Sequence, residues 1–193
     1  MKTAKIILAS ASPRRKELME QAGYKFEIRV SHKEEVYTST EPEEIVKELA
    51  LLKAMDIVEQ SESQTMVVIG ADTVVAHRGQ ILGKPKSKED AFEMIKSFQG
   101  NRHQVYTGVA IVSCDTSGVK QVVNHAVRTD VYVNPMTDAE IWNYIESDNV
   151  MDKAGSYGIQ SGFAKYIEKI EGDYFNVVGL PVSYIYEQLK TMI

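Results

Sequence analysis

The chain has 193 residues, 44% hydrophobic and 25% charged, with a net charge of −5. A chain of this length buries about 70% of its unfolded surface, so it folds without disulfides or metal. Its acidic balance excludes a protein that coats DNA or RNA, which needs an extended basic surface.

The elements follow in chain order. Ala4–Ala9 is an apolar run suited to a buried strand. Ser12–Ala22 reads as a helix, with Ser12 as N-cap, Pro13 at the first helical position and Gly23 just past the end. Tyr24–Val30 alternates as a strand. Thr40-Glu41-Pro42-Glu43 has the pattern of a capping box and opens a helix to about Glu59. Met66–Ala76 is a strand-rich core segment interrupted at Gly70. His77-Arg78-Gly79-Gln80 is a hairpin turn leading to Ile81-Leu82. Ser87–Phe98 is a capped helix that stops at Gly100. Gln104–Ser113 and Val119–Val133 are two long antiparallel strands. Thr137-Asp138-Ala139-Glu140 caps a helix to about Ser147, and a glycine-rich loop follows from Asp152 to Gly162. Phe163–Ile170 is a strand, and Val182–Met192 a final helix after Gly179-Leu180-Pro181. The alternation specifies an α/β fold with a mixed sheet in a single domain. Cys114 is the sole cysteine, so no disulfide forms within the chain and a reducing compartment is expected. No apolar run approaches the length of a membrane span and no signal peptide is evident; the expected location is the cytoplasm, away from membranes.

Several residues carry chemistry. Ser10-Ala11-Ser12-Pro13-Arg14-Arg15-Lys16 lies where the first strand meets the first helix. Three cations in a first turn oppose the helix dipole, at a cost of about 0.3–1 kcal/mol each. A bound phosphate would offset this, held by amides, serine hydroxyls and forked guanidinium groups. The alternative is a solvated basic turn whose arginines pair with Glu17 or Glu20. Asp72 is a lone charge in an apolar stretch, which demands a partner, a metal or a proton; a solvated corner at a strand end is the alternative. Lys53 interrupts the apolar row Ile45, Leu49, Ile57. It either snorkels to water or meets a buried acid or phosphate. Lys84 in Gly83-Lys84-Pro85 and the pair Glu34-Glu35 read alone as exposed loop charges. The loop Met151–Gln160 has glycines that let amides face a ligand, and Gln160 offers the donor and acceptor that a base edge requires. The four histidines, His32, His77, His103 and His125, show no metal-binding spacing, and no P-loop or Rossmann fingerprint occurs.

Taken together, the segments resemble the Maf family of nucleotide pyrophosphatases, once named for septum formation. The matching pieces are Leu8–Arg15, Ile69–Val75, Leu82–Pro85, Met151–Gln160, Gly172-Asp173-Tyr174 and Val177–Pro181. Their order along nearly the whole chain makes the resemblance specific. It implies hydrolysis of a nucleoside triphosphate to the monophosphate and pyrophosphate with a divalent metal, Mg²⁺ or Mn²⁺. It also implies an elongated mixed sheet flanked by helices, two lobes around a central cleft as in the inosine-triphosphate pyrophosphatases, and often a homodimer. The family's proton acceptor falls on Asp72, and Glu35 matches its acidic cleft residue, so that Asp72 and Glu35 are the expected metal ligands. Arg14, Arg15, Lys53 and Lys84 match its phosphate-cleft cations, with Ser10 beside them.

Within the family, one branch resembles dTTP/UTP pyrophosphatases and another prefers 7-methyl-GTP. Arg14, Thr73 and Gln160 match the first branch; the second tends to carry an acid at the last of these places. A neutral amide suits the imide edge of thymine or uracil, so the resemblance implies dTTP and UTP as substrates. Two other readings accompany it: a pyrophosphatase that removes modified nucleotides, and a non-enzymatic regulator of septum formation.

Overall fold

The computed structural model describes residues 4–61 and 64–192. Lys5–Leu8 (β1) is a strand because both of its faces are covered; Ile7 and Leu8 are fully buried. It leads through Ser12, the N-cap, into the helix Pro13–Gln21 (α1), which ends before Gly23 at φ 79°. The strand Phe26–Ile28 (β2) then pairs parallel to β1, with Ile6 opposite Phe26. It is shorter than the alternation predicts.

The long helix Pro42–Glu59 (α2) carries the chain over to the strand Met66–His77 (β3), parallel to β1 on its other side. The expected capping box does not form: Glu41 is the N-cap and makes no side-chain cap. Pro42 fixes the first helical position, which moves the start one residue past the Thr40 that the pattern required. β3 is also continuous rather than broken at Gly70. Gly70 serves another purpose. A Cβ there would collide with the Ala50 carbonyl and lie 2.8 Å from the Ala54 nitrogen.

A hairpin turn with positive φ at Arg78 and Gly79 joins β3 to the strand Gln80–Leu82 (β4), as predicted. The helix Lys88–Phe98 (α3) starts on the Ser87 cap. The strands Arg102–Asp115 (β5) and Gly118–Val133 (β6) are neighbours in the sheet. The helix Asp138–Ser147 (α4) has the full Thr137–Glu140 capping box. Residues Gly162–Tyr166 form a 3₁₀ turn, not the start of a strand. Phe163 and Tyr166 both bury, and residues three apart share a face in a 3₁₀ helix but not in a strand. The strand is Ile167–Glu171 (β7). A short helix Tyr174–Val178 (α5), which the sequence pattern does not announce, precedes Val182–Met192 (α6). Among the described residues the seven strands form one mixed sheet in the order β2-β1-β3-β5-β6-β7, with β4 on β3.

The chain divides into two compact units. The first comprises the described residues of Met1–Asp72, Thr107–Val127 and Gly179–Ile193; the second is Thr73–Tyr106 with Arg128–Val178. In the first unit Ala50, Ala54 and Ile57 of α2 pack on Ile7, Val68, Ala110 and Val112 of the strands. In the second, Phe98, Ile141, Tyr144, Tyr157 and Phe163 form the centre.

The seat of α2 uses a second glycine. A Cβ on Gly108 of β5 would collide with the Val46 carbonyl and lie 2.8 Å from the Lys47 nitrogen. Backbone cannot yield as a flexible side chain can, so Gly108→Ala is expected to cost about 1–3 kcal/mol by overpacking. Urea unfolding checks this against Gly83→Ala, where an added methyl meets open space and the change should stay within about 0.5 kcal/mol.

Candidate functional site

The strand order β2-β1-β3 places the chain's outgoing connections on opposite sides of β1. In open α/β sheets a ligand crevice lies beyond the carboxyl ends of the strands at such a switch point. Leu8, the carboxyl end of β1, is the register partner of Ile69 within β3. Ser10–Arg15 follow the end of β1, and Asp72 lies three residues beyond Ile69 along β3.

Ser10 is buried, and its Oγ accepts from the Ser12 amide at 3.2 Å and from Arg15 Nη1 at 3.1 Å. Ser12 Oγ in turn accepts from the Arg15 amide at 3.5 Å. Arg15 Nε donates to the Gly179 carbonyl at 2.8 Å. Arg15 is thus bound to the turn after β1 and to the Gly179 carbonyl, three residues before α6. Lys16 takes Glu20, at 3.6 Å. Burial lowers the proton affinity of Arg15 while Asp72 raises it, and Arg14 nearby lowers it again. A guanidinium stays charged under these pulls. The first turn of α1 contains no acid.

Lys53 does not snorkel. Its Nζ lies 2.5 Å from Asp72 Oδ1 and 2.8 Å from Glu35 Oε1. The Lys53 and Asp72 side chains are only 15% and 14% exposed, which sets this pair apart from the ion pairs of the outer surface. The close seat of α2 on Gly70 brings Lys53 within reach of Asp72, two residues further along β3. Glu35 arrives by a different route. The segment from Ser31 to Thr38 runs back along α2, and α2 holds it at four points. Ser31 Oγ donates to Asp56 at 2.7 Å, and Lys33 pairs with Glu59 at 2.9 Å. Glu35 meets Lys53, and the Thr38 amide donates to Glu48 at 2.7 Å. The Ser31 hydrogen bond, aided by Gln60 and the His32 amide, holds Asp56 below the usual carboxylate range. Sequence reasoning finds Lys53, Glu35 and Asp72 but misses Asp56 and Glu48, whose placement three residues after and five before Lys53 gives no motif.

The first unit therefore brings together Ser10, Arg15, Glu35, Lys53 and Asp72, with Arg14 electrostatically beside Arg15. Thr73, Lys84 and Gln160 belong to the second unit. There, Gly155 ties their three segments. Its amide donates to the Gly83 carbonyl at 3.0 Å, next to Lys84. A Cβ on it would lie 2.9 Å from Val75, two residues after Thr73. Gly155 and Ser156 both adopt positive φ, 67° and 65°. Lys84 and Gln160 are exposed, and Thr73 is partly buried. The matched segment Gly172-Asp173-Tyr174 has a structural part: Thr129 Oγ1 donates to the Asp173 carbonyl and accepts from the Asp173 amide, both at 3.0 Å.

A cluster of two carboxylates and several cations at a sheet switch point marks an α/β protein built to hold an anion. Its fold is similar to that of the Staphylococcus aureus Ham1 protein, with a TM-score of 0.51 and 11% identity over 97% of this chain and 98% of that one. The family described as Maf-like protein matches residues 5–192, and the chain belongs to it. A dTTP/UTP pyrophosphatase of Lachnoclostridium phytofermentans is 45% identical over 96% of this chain and 93% of its own length. Another of the same name, from Agathobacter rectalis, is 47% identical over 98% of both. No helix among the described residues is long and apolar enough to cross a membrane.

Proposed function

We propose that this chain hydrolyses dTTP and UTP to the nucleoside monophosphate and pyrophosphate. The observation that carries the reading is Lys53 bridging Asp72 and Glu35 beside Arg15 at the switch point. The relatives' names support the choice of substrate. Arg14, Arg15, Lys53 and Lys84, with Ser10, bind the triphosphate. Phosphoryl chemistry relies on positioning and on stabilising charge on the phosphate oxygens, and fixed cations supply both. Asp72 is the proton acceptor. Lys53 engages one of its carboxylate oxygens and fixes the rotamer, so that the carboxylate takes a proton from the attacking water.

A divalent cation fits the donor set. Asp72 and Glu35 direct hard carboxylate oxygens at one point, where the ammonium of Lys53 shows that positive charge is held. Mg²⁺ or Mn²⁺ bound by one or two carboxylates together with substrate phosphates is a common arrangement. Such an ion neutralises charge on the phosphates. The single-domain organisation, the homodimer, action on free nucleotides rather than nucleic acid polymers, and a cytoplasmic location belong to the same reading.

Thr73 and Gln160, with Arg14, select the base. The Gln160 amide matches the acceptor O4 and donor N3–H of thymine or uracil. A glutamate there cannot donate to O4 and leaves a charge against an oxygen. Losing a matched polar contact weakens selection more than losing an apolar one. Gln160→Glu is therefore expected to cut the preference for dTTP and UTP over ATP, GTP and 7-methyl-GTP by about tenfold or more. Measured kcat/KM across that panel decides. A wild type that favours 7-methyl-GTP, or an unchanged profile in Gln160→Glu, overturns this account of the pocket.

A further inference from the structure

Tyr157 and Gln160 sit three residues apart on one loop with opposite fates. Gln160 is exposed, whereas Tyr157 drives into the core of the second unit. Its ring packs 4.7 Å from Phe163 and 5.8 Å from Phe98, and meets His103 edge-on at 5.2 Å. At the end of this slot the Tyr157 hydroxyl lies 2.7 Å from His103 Nε2.

His103, on β5, is fully buried, and its Nδ1 has no hydrogen-bond partner among the described residues. Burial, with His77 close by, pulls its titration down to about 3 against a smaller opposing pull from Asp130. The ring is thus neutral at pH 7. Burial also pushes the Tyr157 phenol up, so it keeps its proton. One neutral ring and one neutral phenol share a single hydrogen bond, and the second ring nitrogen goes unmatched. An aliphatic or phenyl side chain would fill this space without that desolvation cost. What histidine adds is a directional contact that fixes how deep Tyr157 sits and how it is turned.

The rest of the loop transmits that position to Gln160. The Gly158 amide donates to the Tyr144 hydroxyl at 3.3 Å, and Ser161 Oγ donates to the Gly158 carbonyl at 3.0 Å. The Gly162 amide donates to Asp148 at 3.3 Å. On the other side Gly155 lies against Val75 and donates to the Gly83 carbonyl, so the loop around Tyr157 is tied at both ends.

We propose that His103 is a positioning residue for base selection, acting through Tyr157 to set where Gln160 presents its amide. The proposal rests on Gln160 reading the base, as inferred above. A merely structural role predicts lost stability with unchanged base choice.

The test measures kcat and KM for UTP, dTTP and GTP, with melting temperatures, in wild type, Tyr157→Phe, His103→Leu, His103→Gln and Gln160→Ala. Tyr157→Phe and His103→Leu are expected to lower the UTP-to-GTP ratio of kcat/KM by about tenfold, through KM for UTP, while GTP turnover stays near wild type. His103→Gln, whose amide can still meet the Tyr157 hydroxyl, is expected to retain most of the ratio. A wild-type ratio in Tyr157→Phe and His103→Leu, even with lowered melting, overturns the proposal. If His103→Leu does not fold, Tyr157→Phe, which lacks one oxygen, decides alone. A ratio lost in Gln160→Ala but kept in Tyr157→Phe overturns the positioning role and leaves base reading standing. A ratio kept in Gln160→Ala overturns base reading, and this proposal with it.

Discussion

Asp72→Asn is expected to lower kcat by about 10²- to 10⁴-fold, the usual worth of a positioned proton acceptor. Asparagine has nearly the same volume, and its amide oxygen can still accept from the Lys53 ammonium that now lies 2.5 Å from Asp72. The β3 strand on which it sits is held by its neighbours on both sides, not by this side chain. The substitution therefore removes a proton-binding group while sparing the scaffold. Circular dichroism and thermal melting should remain close to wild type, and KM for UTP should change less than kcat. A folded Asp72→Asn protein with near-wild-type kcat removes Asp72 from the role of base.

Lys53→Met is expected to damage both stability and catalysis. Methionine retains an unbranched stem at this position, between Leu49 and Ile57 in the i, i+4 row, but deletes the cation that joins Asp72 to Glu35. Two carboxylates then face each other, one of them largely shielded from water. Because Glu35 is more than half exposed, solvent screens its share, and the stability loss should be about 1–3 kcal/mol, less than for a fully buried pair. In the reaction a charge-assisted contact to phosphate also disappears, worth about 1.5–3 kcal/mol, or on the order of ten- to a hundredfold in kcat/KM. Lys53→Arg should recover only part of this, since a planar fork cannot place one nitrogen between two carboxylates as a compact ammonium does. Urea unfolding and steady-state kinetics on the same three proteins separate the two losses. If Lys53→Met keeps wild-type kcat/KM, the lysine is a structural ion-pair partner and the phosphate contact lies elsewhere.

Where local chemistry decides the structure, the sequence is easy to read. Ser12 before Pro13, Ser87 before α3 and the Thr137–Glu140 box all announce their helices, and each cap forms. Arg78-Gly79 announces its turn in the same way. Reading fails where distant segments intervene. Thr40 has the right spacing for a box, but Pro42 relocates the helix start. Gly70 looks like a break, yet it is the place where another helix's backbone comes close. Phe163–Tyr166 is apolar enough for a strand, but both rings turn to one side and wind the chain into a 3₁₀ turn. The candidate site residues divide likewise. Asp72 and Lys53 stand out as charges in apolar surroundings, and the chain pairs them with each other. Glu35 in an acidic loop has no such contrast, and only its family resemblance singles it out. The ties from Asp56, Glu48 and the Gly179 carbonyl are long-range contacts without a spacing rule, so no inspection of the chain reveals them.

Gly70 and Gly108 seat α2 on the sheet by main-chain contact. Main-chain atoms are the same in every homologue, whereas a helix resting on side chains shifts whenever their volumes change. The reach from Lys53 to Asp72 is therefore insulated from evolutionary drift among the aliphatic residues around it. Exchanging one branched side chain for another at Ile45, Leu49 or Ile57 is expected to leave the ammonium at its carboxylate. Anyone evolving or stabilising this helix meets the tightest constraint at the two glycines beneath it.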